Sequence, residues 1–122
     1  MADTLFYLAF ATLIAHELDA VHKREWRILF VLRGLPETTA RRVFVLLHIP
    51  LLALLVWLVA HPSNTVQLVS RVSLDVFMIL HAGLHRRLEP GAAAAFKTPF
   101  SRLLIYGAAL LGLLDLGVLL SR

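Results

Sequence analysis

The sequence predicts an all-α integral membrane protein, a four-helix bundle forming a single domain over residues 1–122. Three observations predict it. The chain is 59% hydrophobic, with a mean hydropathy of +0.78. Only 16% of it is charged, against roughly 25% in an ordinary soluble domain. The apolar residues also fall into four separate segments, at about 5–21, 43–60, 65–84 and 103–120. Each comes close to the ~20 residues a helix needs to cross about 30 Å of hydrocarbon. Backbone polar groups in lipid must be satisfied within the segment, so these segments are helices.

The first segment has no basic leader before it and holds His16, Glu17 and Asp19 in its last part. It reads as a retained span and not as a cleaved signal peptide. The second contains Pro50, which cannot bond to the carbonyl of Leu46, so that the freed oxygen is a candidate partner for a ring nitrogen of His48. In the third, Arg71 and Asp75 are four apart, and an intrahelical ion pair is the economical expectation. The fourth carries Gly107, Ala108, Gly112 and Gly117, small-residue faces suited to close packing within the chain or in a homo-oligomer. Asp115 in the same segment is expected to pair with Arg71 or Ser121, or to meet a partner.

The connections alternate in charge. The first, about 22–42, holds Lys23, Arg24, Arg27, Arg33, Arg41 and Arg42, and the third, about 85–102, holds Arg86, Arg87, Lys97 and Arg102. The second, HPSNT, has no charge. The positive-inside rule therefore puts the two basic connections in the cytoplasm and both termini on the non-cytoplasmic side. Within the first connection, Trp26 with Ile28, Leu29, Phe30 and Leu32 looks amphipathic, and Trp26 is expected to anchor it among the headgroups. Pro99 fits the first turn of the last helix.

Composition removes several function classes. A net charge of +4 and a pI near 10.4 raise the question of nucleic acid. The basic residues flank apolar segments instead of forming a stripe with interleaved aromatics, so no nucleic-acid partner is expected. The absence of cysteine excludes disulfides, iron–sulfur clusters and thiolate zinc sites.

The main functional signal is three intramembrane histidines. His16 lies near the end of the first segment, His48 near the start of the second and His81 near the end of the third. With helices running alternately in and out, all three reach one level, roughly 6–9 Å below the cytoplasmic surface at 1.5 Å per residue. Ionisable groups in hydrocarbon are costly and mark functional sites by default. His85 follows His81 by four residues, a spacing that stacks two imidazoles on one helix face and can chelate a metal. Asp19 shares a face with His16, three residues away. Glu17 is rotated about 100° from His16 toward a neighbouring helix, and Glu25 follows at the membrane edge.

The block HELDAVHKREW (16–26) resembles the signature of a family of small four-span bacterial membrane proteins of unknown function. That pattern is His-Glu-(Ile/Leu)-Asp followed by Glu-Trp, here His16, Glu17, Leu18, Asp19, Glu25 and Trp26. LLHIPLL (46–52) and FKTPFS (96–101) resemble further landmarks of the family. The resemblance implies the four-span fold and a place in the bacterial inner membrane. It implies no activity.

The chemistry of the residues leads to a metal-dependent membrane enzyme. His16, Asp19, His48, His81 and His85 are the candidate ligands of a divalent ion, zinc or else iron or manganese. Glu17 and Glu25 are the candidate general acid/base groups. The depth of the histidines favours a lipid-like or amphipathic substrate. The alternatives are a proton or divalent-ion transporter, a bis-histidine haem protein, and an accessory subunit whose polar layer sets helix register.

Overall fold

The computed structural model of the chain describes residues 2–121. Those residues form four long helices and no strand: α1 (Ala2–His22), α2 (Glu37–Val59), α3 (Asn64–Leu88) and α4 (Pro99–Leu120). Each helix is long and apolar enough to cross a membrane. Two 3₁₀ turns, Glu25–Arg27 and Ala94–Lys97, lie in the basic connections.

Local sequence explains where the helices begin and end. Thr98 caps α4, its hydroxyl accepting from the backbone N–H of Ser101 at 3.3 Å, and Pro99 occupies the first turn as expected. α2 starts directly after Pro36, so its first turns, Glu37 to Arg42, extend beyond the apolar segment. The residue that ends the preceding run is Pro36, and helix-compatible polar residues follow it. After α1, Arg24 adopts a left-handed conformation (φ 61°, ψ 47°), which is uncommon for a residue with a Cβ. This reversal folds the Glu25–Arg27 turn back beneath the end of α1.

Helix α4 is the centre of the bundle: α1 and α3 both pack along it, while α2 touches α3 and α1 much more sparsely. Leu46, Ile49, Leu54 and Trp57 of α2 are accordingly exposed, as suits a helix whose outer face meets lipid. At the basic-loop end the core contains Ala20, Trp26, Phe44, Ala82, Phe96 and Ile105. Ala9, Leu13, Met78 and Ala108 form a second cluster further along the bundle.

Two sequence expectations change here. Trp26 is only 2% exposed and packs on Phe44 with ring centroids 5.9 Å apart, so it belongs to the core and is not an interfacial anchor. The reversal at Arg24 carries it inward, and Phe30 and Val31 are the apolar residues of the loop left most exposed. Arg71 does not turn to Asp75 on its own helix. Its Nε donates to Asp115 Oδ2 at 2.6 Å, its Nη2 to Asp115 Oδ1, and its Nη1 to Asp3 Oδ1 at 2.8 Å. A bidentate fork on a carboxylate of a neighbouring helix satisfies the guanidinium better than an i,i+4 contact. Of the small residues in α4, Gly112 has the tightest surroundings. A Cβ there would lie 3.3 Å from Asp75 Oδ1 and 3.4 Å from Asp75 Cα, whereas Gly117 faces open space.

Candidate metal centre

Four side chains from three elements meet at the basic-loop end. His16 comes from α1, His81 and His85 from successive turns of α3, and Glu25 from the reversed 3₁₀ turn. Each offers one ligand atom, and all four atoms lie within 4.8 Å of one another. His16 Nε2 is 3.0 Å from His81 Nε2 and 3.5 Å from Glu25 Oε2. Glu25 Oε1 lies 3.4 Å from His85 Nε2 and 3.9 Å from His81 Nε2. His16 is fully buried, and His85 and Glu25 are nearly so.

These separations can be compared with a metal site. Ligand atoms about 2.0–2.1 Å from a tetrahedral ion stand roughly 3.3 Å apart. The observed 3.0, 3.4, 3.5 and 3.9 Å scatter around that value. Three imidazole nitrogens and one carboxylate oxygen also form a donor set that suits zinc, iron or manganese. Glu25 Oε2, although buried, has no hydrogen-bond donor among the described residues. The group therefore could hold a metal ion.

The electrostatics of Glu25 point the same way. Burial pushes its carboxyl up, but the hydrogen bond from His85 and the neighbouring imidazoles more than offset this, leaving it below the ordinary glutamate range. An ionised carboxylate is the form that binds a cation.

Aromatic packing holds the imidazoles in place. His81 packs edge-on against His16 and His85, with ring centroids 5.0 and 4.6 Å away. Phe96 covers His85 at 4.6 Å and His16 at 5.7 Å, and Phe77 stacks on His81 at 5.2 Å. Phe96 and Ser101 were not singled out as site residues from the sequence, although both lie in the FKTPFS block. Their chain separation from His16 leaves no spacing signal.

The other candidates lie around this group and outside it. Asp19, on the face of α1 below His16, accepts from the buried Ser101 hydroxyl at 2.6 Å, which ties α1 to the start of α4. His48 pairs with Glu17, Nε2 to Oε2, at 2.9 Å. Its Nδ1 donates to the Phe44 carbonyl at 2.7 Å, so the backbone partner is the oxygen four residues back and not the one Pro50 frees on Leu46. This arrangement fixes a proton count. With Nδ1–H given to Phe44, neutral imidazole offers only a lone pair at Nε2, and a carboxylate offers only acceptors. The short His48–Glu17 contact therefore holds one more proton, on either partner.

A cavity of about 390 Å³ joins the pair to the histidine–glutamate group, its polar wall formed by Glu17, Glu25, His48, His81 and His85. Its other walls are apolar, including Leu47, Leu51, Phe77 and Leu84. A second cavity of about 170 Å³ shares Glu17, His48, Leu51 and Phe77 and continues along α2 and α3 to Leu55 and Leu74.

The model of a family described as a family of unknown function (DUF6713) matches residues 2–122, and the chain belongs to that family. Comparison with curated proteins and with solved structures gives no match.

Proposed function

We propose that this family member is a metal-dependent membrane enzyme acting on an amphipathic, lipid-like substrate near the cytoplasmic headgroups. The observation that carries the reading is the juxtaposition of a four-ligand group, a proton-holding Glu17–His48 pair and an apolar cavity between them. Leu47, Leu51, Phe77 and Leu84, which line the cavity, are themselves exposed on the outside of the bundle. They lie on the surface that hydrocarbon would cover, so a lipid chain can enter sideways without crossing water.

His16, His81 and His85 would hold the ion from rigid helices, with Glu25 as the fourth ligand. Glu25 stands on a three-residue turn and not on a span, so of the four it would be held least rigidly. A divalent ion bound there supplies Lewis acidity and lowers the pKa of a coordinated water. Glu17 and His48 move the proton: the pair gives the one held in its Nε2–Oε2 contact to the leaving group and regains one from the attacking group. The apolar walls hold the acyl or prenyl part of the substrate and exclude bulk water from the polar end.

One observation favours a second reading. Four protein ligands fill a tetrahedral ion, the pattern of a structural site, and a structural metal would make the chain an accessory membrane subunit. One experiment separates the two readings. Metal-loaded wild-type protein and Glu17→Gln are incubated in vesicles of bacterial lipid extract, and the lipids are compared by mass spectrometry. The enzyme reading expects a lipid species to be consumed by the wild type and spared by Glu17→Gln, with metal retained in both. Unchanged lipids in the presence of fully loaded wild-type protein would leave the structural reading.

A further inference from the structure

A second buried polar group lies further along the bundle, toward the termini, and the metal centre does not use it. Asp75 of α3 and Asp115 of α4 are both fully buried. Asp115 is satisfied by the two donors of Arg71. Asp75, one turn from Arg71 on the same helix, receives none: neither of its carboxyl oxygens has a hydrogen-bond donor among the described residues. Asp115 is its neighbour across the α3–α4 contact: Arg71, one turn before Asp75, bonds it, and it follows Gly112, whose backbone lies against Asp75, by three residues on the same face of α4. Gly112 lets α4 approach this carboxyl, since a Cβ at that position would come within 3.3 Å of Asp75 Oδ1.

Two ionised carboxylates in this position would face one another as acceptors, with only one of them held in the Arg71 fork. The uncompensated charge would lie inside the hydrocarbon span, where it is most costly. A single proton removes both problems. A protonated acid has one O–H to give, and the ionised Asp115 accepts it while Arg71 balances its charge.

We propose that Asp75 and Asp115 form an intramembrane proton-binding site, in which Asp75 carries the proton and donates it to Asp115. Other ionisable groups near the site are few. α3 contributes Arg71, α4 contributes Asp115 itself, and α1 contributes Asp3 through Arg71. The second half of α2, residues 49–59, contains no ionisable side chain. A cleft of about 320 Å³ lined by Asp3, Asn64, Gln67 and Arg71 reaches the guanidinium from outside, and it gives the proton a polar route to the terminus end of the bundle. His81 lies six residues further along α3, about 9 Å away along the axis. The buried Met78 and Leu13 occupy the space toward it.

Infrared spectroscopy of the full-length protein in lipid near neutral pH tests this. The wild type should show a carboxylic-acid C=O band that shifts when the aspartates are isotopically labelled and shifts again in heavy water. Asp75→Asn should lose the band, and His85→Ala should keep it. Absence of any protonated aspartate in the wild type would overturn the proposal, as would a band that persists in Asp75→Asn or that ignores heavy water. Labelled wild type alone settles whether an aspartate is protonated, even if Asp75→Asn does not fold.

Discussion

His16 Nε2 and His81 Nε2 lie 3.0 Å apart, although the two residues are 65 positions apart in the chain. Two unpaired imidazoles inside a membrane bundle are expensive, and bringing them into contact gives each a partner in the other or in a shared ion. Around this contact the bundle assembles His85, the Glu25 turn and Phe96.

Metal binding should separate the four ligands from the other candidates. Tag-free wild-type protein should carry about one equivalent of a divalent ion, and His16→Ala, His81→Ala and His85→Ala should lose it. His48→Gln should keep it, because His48 bonds Glu17 and Phe44 instead of joining the group. Elemental analysis of the purified variants checks this, and retention of metal in His16→Ala would contradict the site.

Acid should destabilise the metal-free protein through Glu25. Its carboxyl lies below the ordinary glutamate range when folded: burial raises it, and the His85 hydrogen bond and neighbouring imidazoles more than compensate. Such a group contributes its full stabilisation above the unfolded pKa and loses it as pH falls through the lower folded value. Melting temperatures of the apo protein should therefore drop as pH falls through and below the ordinary glutamate range. Glu25→Gln should flatten that part of the curve.

Ser101→Ala should loosen α1 from α4 without emptying the metal group. It removes the hydroxyl that reaches Asp19 Oδ2 at 2.6 Å and leaves a nearly buried carboxylate short of a donor, a cost of about 1–3 kcal/mol. Unfolding in mixed micelles measures the loss. Metal content should remain that of the wild type.

At the other end of the bundle, Arg71→Leu should be among the most damaging single changes. It strands Asp115, whose side chain is fully buried, and breaking a buried pair in this way costs about 3–5 kcal/mol. Asp3→Asn should cost no more than about 1 kcal/mol, because Asp3 is 79% exposed. The same unfolding assay ranks the two.

Much of the fold was legible because the signals behind it are local. Hydrocarbon thickness sets span length, so four apolar segments could be counted directly, and Pro99 marks the first turn of α4 through its own backbone chemistry. The common level of the histidines follows from helix rise and alternating direction, and His16, His81 and His85 do lie together at the basic-loop end. Partner choice was not legible. Each helix turns its polar residues by about 100° per position, so Glu17 faces His48 while His16, its neighbour in sequence, faces His81 and His85. Arg71 has an acid one turn away on its own helix, yet it reaches across to Asp115.

The sequence by itself determined a four-span bundle with a histidine- and carboxylate-rich layer, because membrane thickness and helix rise act on every residue alike. Only the tertiary structure decided that Glu25 joins His16, His81 and His85 while Asp19 and His48 bond elsewhere. The reason is the left-handed turn at Arg24. It sends the chain back beneath α1 and brings a carboxylate from outside the span to the buried imidazoles, and no helical spacing encodes that reversal.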